Sequence, residues 1–116
     1  SLLDDEAFAR WWTESRTGSR PMAAAMIAGE LTQKGVDGAV VADAIAEVDD
    51  AENARAFARK LVRTIPTDEY GRFVRRLSGR LARRGYSRGL VRSVVDEVWS
   101  EVTDDAVATV PDVSSL

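Results

Sequence analysis

The sequence contains no cysteine and no histidine. The first absence removes disulfides, thiolate nucleophiles and cysteine-based zinc sites, and the second removes the commonest general base and metal ligand. Most familiar catalytic constellations are therefore out of reach. A Gly-rich phosphate loop, a Walker sequence and metal-ligand spacing are also missing. No uninterrupted apolar run approaches the roughly 20 residues that a membrane helix needs. The start, Ser1-Leu2-Leu3-Asp4, has no basic stretch leading into an apolar one, so no secretory signal is visible. What is present is 116 residues, 45% of them apolar, which is one domain's worth of chain with a modest core. The expectation is a soluble, cytoplasmic, non-enzymatic domain with no cofactor, no metal and no membrane contact.

A net charge of −3 conceals a segregation. Residues 1–54 hold 4 basic and 11 acidic side chains; residues 55–92 hold 12 basic side chains against only Asp68 and Glu69; residues 93–116 hold 6 acids and no base. All but one of the cations in the middle block are arginine, whose planar fork of donors suits phosphate and carboxylate. Eight arginines from Arg72 to Arg92, with no acid between them, would repel each other unless something offsets them. The block is thus a candidate footprint for a polyanion or an acidic protein surface, the plainer alternative being a solvated helix face.

Comparing the chain with itself at an offset of 50 residues aligns Met26–Val48 with Arg76–Val98. Gly29/Gly79, Leu31/Leu81, Gly35/Gly85, Val41/Val91, Glu47/Glu97 and Val48/Val98 are identical, so the chain contains an internal repeat. Within it, Lys34-Gly35-Val36-Asp37 and Arg84-Gly85-Tyr86-Ser87 read as helix corners. The glycine takes the left-handed conformation that closes one helix, and Asp37 or Ser87 caps the next. Val36 with Val41, and Tyr86 with Val91, would then act as hydrophobic staples.

The remaining boundaries complete three helices per repeat. Asp4 or Asp5 caps a first helix with Phe8, Trp11, Trp12 and Ser15 on one side, ending near Gly18-Ser19-Arg20. Pro21 suits the first turn of a second helix carrying Ala24, Ile27 and Leu31, and a third carries Val40, Val41, Ala44, Ile45 and Val48. Asp49 or Asp50 starts the second repeat, whose first helix places Ala54, Phe57, Ala58, Leu61, Val62 and Ile65 inward and stops at Pro66. Thr67 is expected to cap the next, with Asp68 and Glu69 in its first turn and Tyr70, Phe73, Val74, Leu77 and Leu81 as its apolar stripe. The last helix carries Leu90, Val91, Val94, Val95, Val98 and Trp99. No segment shows sustained two-residue alternation. The fold class is therefore all-α: two tandem three-helix repeats with helix-turn-helix-like corners, residues 1–48 and 49–102, followed by a loose acidic tail over 103–116.

The clusters Asp4-Asp5-Glu6 and Asp49-Asp50 sit where helices start, so capping accounts for them without catalysis. Trp11 and Trp12 point about 100° apart on a helix, so one enters the core and the other lies at the stripe's edge, available to a partner. Trp99 belongs with the core. Arg72, Arg76, Arg80 and Arg83, spaced four, four and three, form one cationic face opposite the apolar stripe. Arg84 at the corner, with Arg88 and Arg92 one turn apart on the last helix, would extend that ridge. Such a surface contacts several phosphates at once, which implies weak, salt-sensitive and largely sequence-independent binding to the DNA backbone.

The chain resembles the RecX family, regulators of the RecA recombinase. The likeness is carried by Leu3-Asp4-Asp5-Glu6-Ala7-Phe8-Ala9-Arg10, Glu30-Leu31-Thr32-Gln33-Lys34-Gly35-Val36, Ala54-Arg55-Ala56-Phe57-Ala58-Arg59-Lys60 and Leu81-Ala82-Arg83-Arg84-Gly85-Tyr86-Ser87, in order over about residues 2–100. The resemblance implies an elongated, curved helical protein that lies in the groove of the RecA filament on DNA and reduces ATP hydrolysis and strand exchange. It implies no nucleotide site in this chain. The chain is expected to be a monomer.

Two departures stand out. Family members commonly carry a further three-helix repeat before the Leu-Asp-Asp-Glu motif, so the chain is expected to be a truncated form or processed fragment. The helix leading to Glu30-Leu31, often basic in the family, here reads Met22-Ala23-Ala24-Ala25-Met26-Ile27-Ala28. That apolar surface exceeds one core stripe and is expected to pack against the further repeat or a partner. The alternatives to a filament regulator are a stand-alone helix-turn-helix module that places Arg88 and Arg92 on a duplex, and a helical scaffold for an unrelated acidic protein.

Overall fold

A computed structural model describes the backbone of residues 4–109 and the side chains of residues 4–105. Among the described residues every regular element is helical. The first repeat comprises α1 (Asp5–Arg16), α2 (Ala24–Gln33) and α3 (Gly38–Ile45). The second comprises α4 (Asp50–Leu61), which runs into a 3₁₀ turn over Val62–Thr64, then α5 (Tyr70–Arg83) and α6 (Arg88–Thr109).

Local chemistry explains most boundaries. Asp4 Oδ1 accepts from the Ala7 amide (3.0 Å) and Asp49 Oδ1 from the Glu52 amide (3.0 Å), each satisfying a first-turn N–H that the helix cannot use. Gly35 and Gly85 have φ of 84° and 91°, the left-handed conformation that ends α2 and α5. Asp37 accepts from Ala39 N (3.1 Å) and Ser87 Oγ from Leu90 N (3.2 Å), so both corners start their next helix as expected. Val36 and Val41 are buried together in the first core, Tyr86 and Val91 in the second.

The structure departs from the sequence reading in several places: α3 ends at Ile45, short of Val48, and α4 ends at Leu61, so that Val62–Thr64 form a 3₁₀ turn and Ile65 is extended. Helix α2 starts at Ala24 rather than Pro21: Arg20–Ala23 is a strap whose donors are taken elsewhere, Met22 N by Arg16 O (2.8 Å) and Ala23 N by Arg84 O (2.8 Å). Helix α5 starts at Tyr70 without a Thr67 cap, and Asp68 and Glu69 precede it, where they lie 3.7 and 4.0 Å from the Arg72 guanidinium. The inward face of α1 is Ala9 and Thr13 with the half-buried Trp12 beside them, as one tryptophan was expected to be, whereas Phe8 and Trp11 are 36% and 60% exposed. Small residues there let α1 approach its neighbours closely. Finally, α6 continues through Val102 and Thr103 to Thr109, so the first seven residues of the expected loose tail are helical; the remainder lies outside the described residues.

Two cores result. Ala9, Ile27, Leu31, Val36 and Val41 fill the first, with Trp12, Met22, Val40 and Ile45 against it. The second is larger, with Phe57, Leu61, Ile65, Phe73, Leu77, Leu81, Val94, Val95 and Val98 at its heart. Trp99 is half-buried at its edge, 4.9 Å from the Phe73 ring and 5.1 Å from Tyr70.

The repeats are joined by the strap, which crosses the Arg84–Tyr86 corner. Tyr86 Oη donates to Pro21 O (3.0 Å), Arg84 Nε to the same carbonyl (3.4 Å), and Arg84 Nη2 to Arg20 O (2.5 Å). Ala23, only 1% exposed, belongs to the second core although it comes from the first repeat. Asp50 Oδ1, at the start of α4, accepts from Ala24 N (2.9 Å) and so caps α2 from the other repeat. Part of the apolar surplus of residues 22–28 is thus covered within the chain, by the second repeat. The molecule measures 74 × 24 × 20 Å, with a radius of gyration of 18.5 Å against the roughly 13 Å of a compact chain of this length.

Two predictions follow from this junction. A Cβ at Gly85 would lie 2.9 Å from both Met26 Cβ and Cε, whereas one at Gly35 meets open space. Gly35→Ala should cost about 1–2 kcal/mol, the penalty of a left-handed non-glycine, and Gly85→Ala distinctly more in urea unfolding; equal losses would show that the α2 contact is slack. Burial, then the charge of Asp50, push the Tyr86 phenol up to about 12, with Arg84 opposing. Because the folded value is raised, this stabilisation is complete below about pH 10 and lost as pH climbs toward 12. Tyr86→Phe should lower stability by about 1 kcal/mol near neutrality and flatten the alkaline limb of the urea midpoint.

Candidate polyanion-binding surface

Helix α5 presents opposite chemistry on opposite sides. Phe73, Leu77 and Leu81 are fully buried, and the 100° step per residue sends Arg72, Arg75, Arg76 and Arg83 to the far side, with Arg80 at the flank. Arg75, Arg76, Arg80 and Arg83 line a groove of about 330 Å³ with Thr64, Ile65 and Gly79. Among the described residues none of these four forms an ion pair. Ile65 supplies an apolar wall, and Gly79, without a side chain, leaves room between the arginines.

The other arginines expected in the ridge divide among different tasks. Arg72 is drawn toward Asp68 and Glu69. Arg84 is committed to the carbonyls of Arg20 and Pro21, so it holds the repeats together rather than facing outward. Arg88 and Arg92 line a separate, larger groove of about 630 Å³ with Tyr70, Val74, Val91 and Val95, and with Asp96 beside them. The two grooves share no residue, so the ridge is interrupted at the corner instead of running across it. The cause is the turn itself, which sets the Arg88/Arg92 face of α6 beside the Tyr70/Val74 flank of α5. Arg75, absent from the expected set, was findable: Arg75, Gly79 and Arg83 recur every four residues.

Beyond Asp68 and Glu69, charge that offsets the basic block comes from α6. Glu101 makes a two-pronged contact with Arg59 (2.7 and 3.1 Å), and Glu97 lies 3.5 Å from the same guanidinium. The hydrogen bond from Arg59 holds the Glu101 carboxyl below its usual value, and the same bond raises Arg59. The acids of α6 thus pair with Arg59 of α4, and among the described residues Arg75, Arg76, Arg80 and Arg83 of α5 keep no ion-pair partner.

In the first repeat Trp12 is the anchored member of the tryptophan pair. Its indole N–H donates to Glu30 Oε1 (3.0 Å), which also accepts from Arg16 Nε (3.2 Å), and Arg16 and Lys34 stand 4.2 and 4.4 Å from its ring centre. Trp11 is the exposed one and packs only loosely on Phe8, at 6.3 Å. Of the carboxylates, Asp4, Asp49 and Asp50 serve as caps. Among the described residues no three acids could hold a metal ion, and no helix is long and apolar enough to cross a membrane.

The chain matches two family models: RecX, second three-helix domain, over residues 4–45, and RecX, third three-helix domain, over residues 47–95. It is 42% identical over 108 residues to the regulatory protein RecX of Streptomyces coelicolor, covering 90% of this chain and 57% of the relative. The corresponding protein of Thermobifida fusca is 42% identical over 100 residues (83% and 54%), and that of Amycolatopsis mediterranei 36% over 115 residues (91% and 66%). The chain therefore spans rather more than half the length of these relatives. No solved structure matches it significantly. Two matched domains, each a helix trio closed by a left-handed glycine corner, and relatives that all carry one name place the chain in the RecX family, as its second and third three-helix domains.

Proposed function

We propose that this RecX chain is a non-enzymatic, cytoplasmic regulator that binds a RecA-type recombinase filament on DNA and restrains its ATP hydrolysis and strand exchange. The observation that carries the reading is the unpaired set Arg75, Arg76, Arg80 and Arg83 along α5, exposed except for the half-buried Arg80 on its flank. Arginines held at helical spacing on a rigid element, with no internal acid to satisfy them, offer several forked donors to phosphate oxygens or to an acidic protein face at once. Arg88 and Arg92, beside the apolar groove, suit a protein surface better than a bare phosphate chain, because Val74, Val91 and Val95 form much of that groove. A filament that presents both DNA and protein satisfies both grooves. Stand-alone duplex reading is the weaker account, since Arg88 and Arg92, though exposed, share their groove with Tyr70 and Val74 of α5 and with the carboxylate Asp96.

The test is single-stranded-DNA-dependent ATP hydrolysis by preformed RecA filaments, with the chain added below one copy per protomer. Inhibition at these ratios is expected, and Arg76→Glu/Arg80→Glu/Arg83→Glu should abolish it while circular dichroism stays unchanged, because these side chains carry no internal bond. In a salt series of binding, the triple variant should lower the log–log slope by about 2–3, as three lost phosphate contacts require. Unchanged inhibition by the triple variant would reduce the α5 arginines to a solvated face.

A further inference from the structure

A second charged site lies where the two repeats meet, and it has the opposite sign. A cleft of about 560 Å³ is lined by Glu14 of α1, Asp43 of α3, Glu47 and Asp49 of the link, and Glu52 of α4, with Thr13 among them. Among the described residues none of these five carboxylates forms an ion pair, and the one cation lining the cleft is Arg10. Capping accounts for Asp49, which bonds the Glu52 amide, and Glu52 stands in the first turn of α4, where the helix dipole favours an acid, but neither role covers Glu14, Asp43 or Glu47.

Thr13 supplies the independent observation. It is 6% exposed, and among the described residues its hydroxyl is the buried side-chain oxygen without a hydrogen-bond partner. A buried hydroxyl without a partner is destabilising, so its presence in the lining of an acidic cleft points to a donor arriving from outside. That donor bears positive charge, since five carboxylates surround the approach. A compact metal ion does not fit, because no three of the acids converge closely enough to hold one. The fitting ligand spreads its charges along the cleft and donates several N–H groups.

We propose that this inter-repeat cleft is a docking site for a basic segment of a partner protein, one of whose arginine or lysine side chains reaches Thr13 while neighbouring ones pair with Glu47 and Glu52. The site is distinct from the α5 arginines and does not depend on the function proposed for them. Its walls belong to both repeats, so a bound segment also braces the junction.

The test is a titration of the 15N-labelled chain with a tetra-arginine amide, with spermidine in parallel, followed through backbone amide shifts. Saturable shifts confined to residues 13–17 and 43–53 are expected, weakened about tenfold by Glu47→Gln/Glu52→Gln and roughly threefold by Thr13→Val, with each variant still folded. Shifts spread equally over Asp4–Glu6 and Asp96–Asp105 would overturn the proposal, as would an affinity indifferent to Glu47→Gln/Glu52→Gln. Equal binding of spermidine would make a free polyamine the occupant and overturn the peptide. Concentration-dependent broadening without any peptide, lost in the same double variant, would assign the cleft to a second copy of this chain and overturn a separate partner.

Discussion

Everything about the shape of this molecule depends on four residues that belong to one repeat and are held by the other. The strap Arg20–Ala23 gives two carbonyls to Arg84 and Tyr86, gives its Ala23 amide to the Arg84 carbonyl, and sinks Ala23 into the second core. Arrays of helical repeats usually behave as a sum of units and nearest-neighbour terms. Here the neighbour term is unusually polar and specific. Asp50 caps α2 from outside its own repeat, so detaching the units uncovers a helix start as well as an apolar face. The first core is the smaller, with five buried apolar residues among those described, and Ala23 of its own repeat is buried in the second.

The junction also distributes the charges. Arg84 is spent on carbonyls, Arg59 on Glu97 and Glu101, Arg72 on the acids before α5. What is left over is organised: an arginine groove on the outer side of α5, an arginine-edged apolar groove between α5 and α6, and an acidic cleft between the repeats. Three surfaces of different character thus share a rod 74 Å long.

Much of the fold was legible in the residues. The offset-50 repeat, the glycine corners with Asp37 and Ser87, and the stripe Phe73/Leu77/Leu81 are local or periodic signals, and each is realised as a left-handed glycine, a cap or a buried row. The departures have long-range causes. Nothing near Pro21 announces that its carbonyl will meet Tyr86, 65 positions later, so a strap looked like a first helical turn. The aromatic side of α1 looked like a core stripe because apolar content, not size, was the signal, whereas close helix packing selected Ala9 and Thr13. The candidate site was legible as a set of arginines but not as a surface: periodicity put Arg76, Arg80 and Arg83 together, and only tertiary structure took Arg84 away and moved Arg88 and Arg92 to another groove. The orphaned hydroxyl of Thr13 left no trace in the sequence at all.

The Arg59 clasp on Glu97 and Glu101 has a consequence for how the molecule travels. By drawing Glu97 and Glu101 onto α4, it offsets Arg59 and leaves the unpaired arginines of the second repeat lined up along α5, while the first repeat carries a net negative charge. The result is a rod with a built-in electrical heading. Near a polyanion the torque on such a rod acts before any atom touches, within the roughly 10 Å reach of electrostatics at moderate salt. For a polyanionic partner, the approach that this field favours leads with the α5 edge.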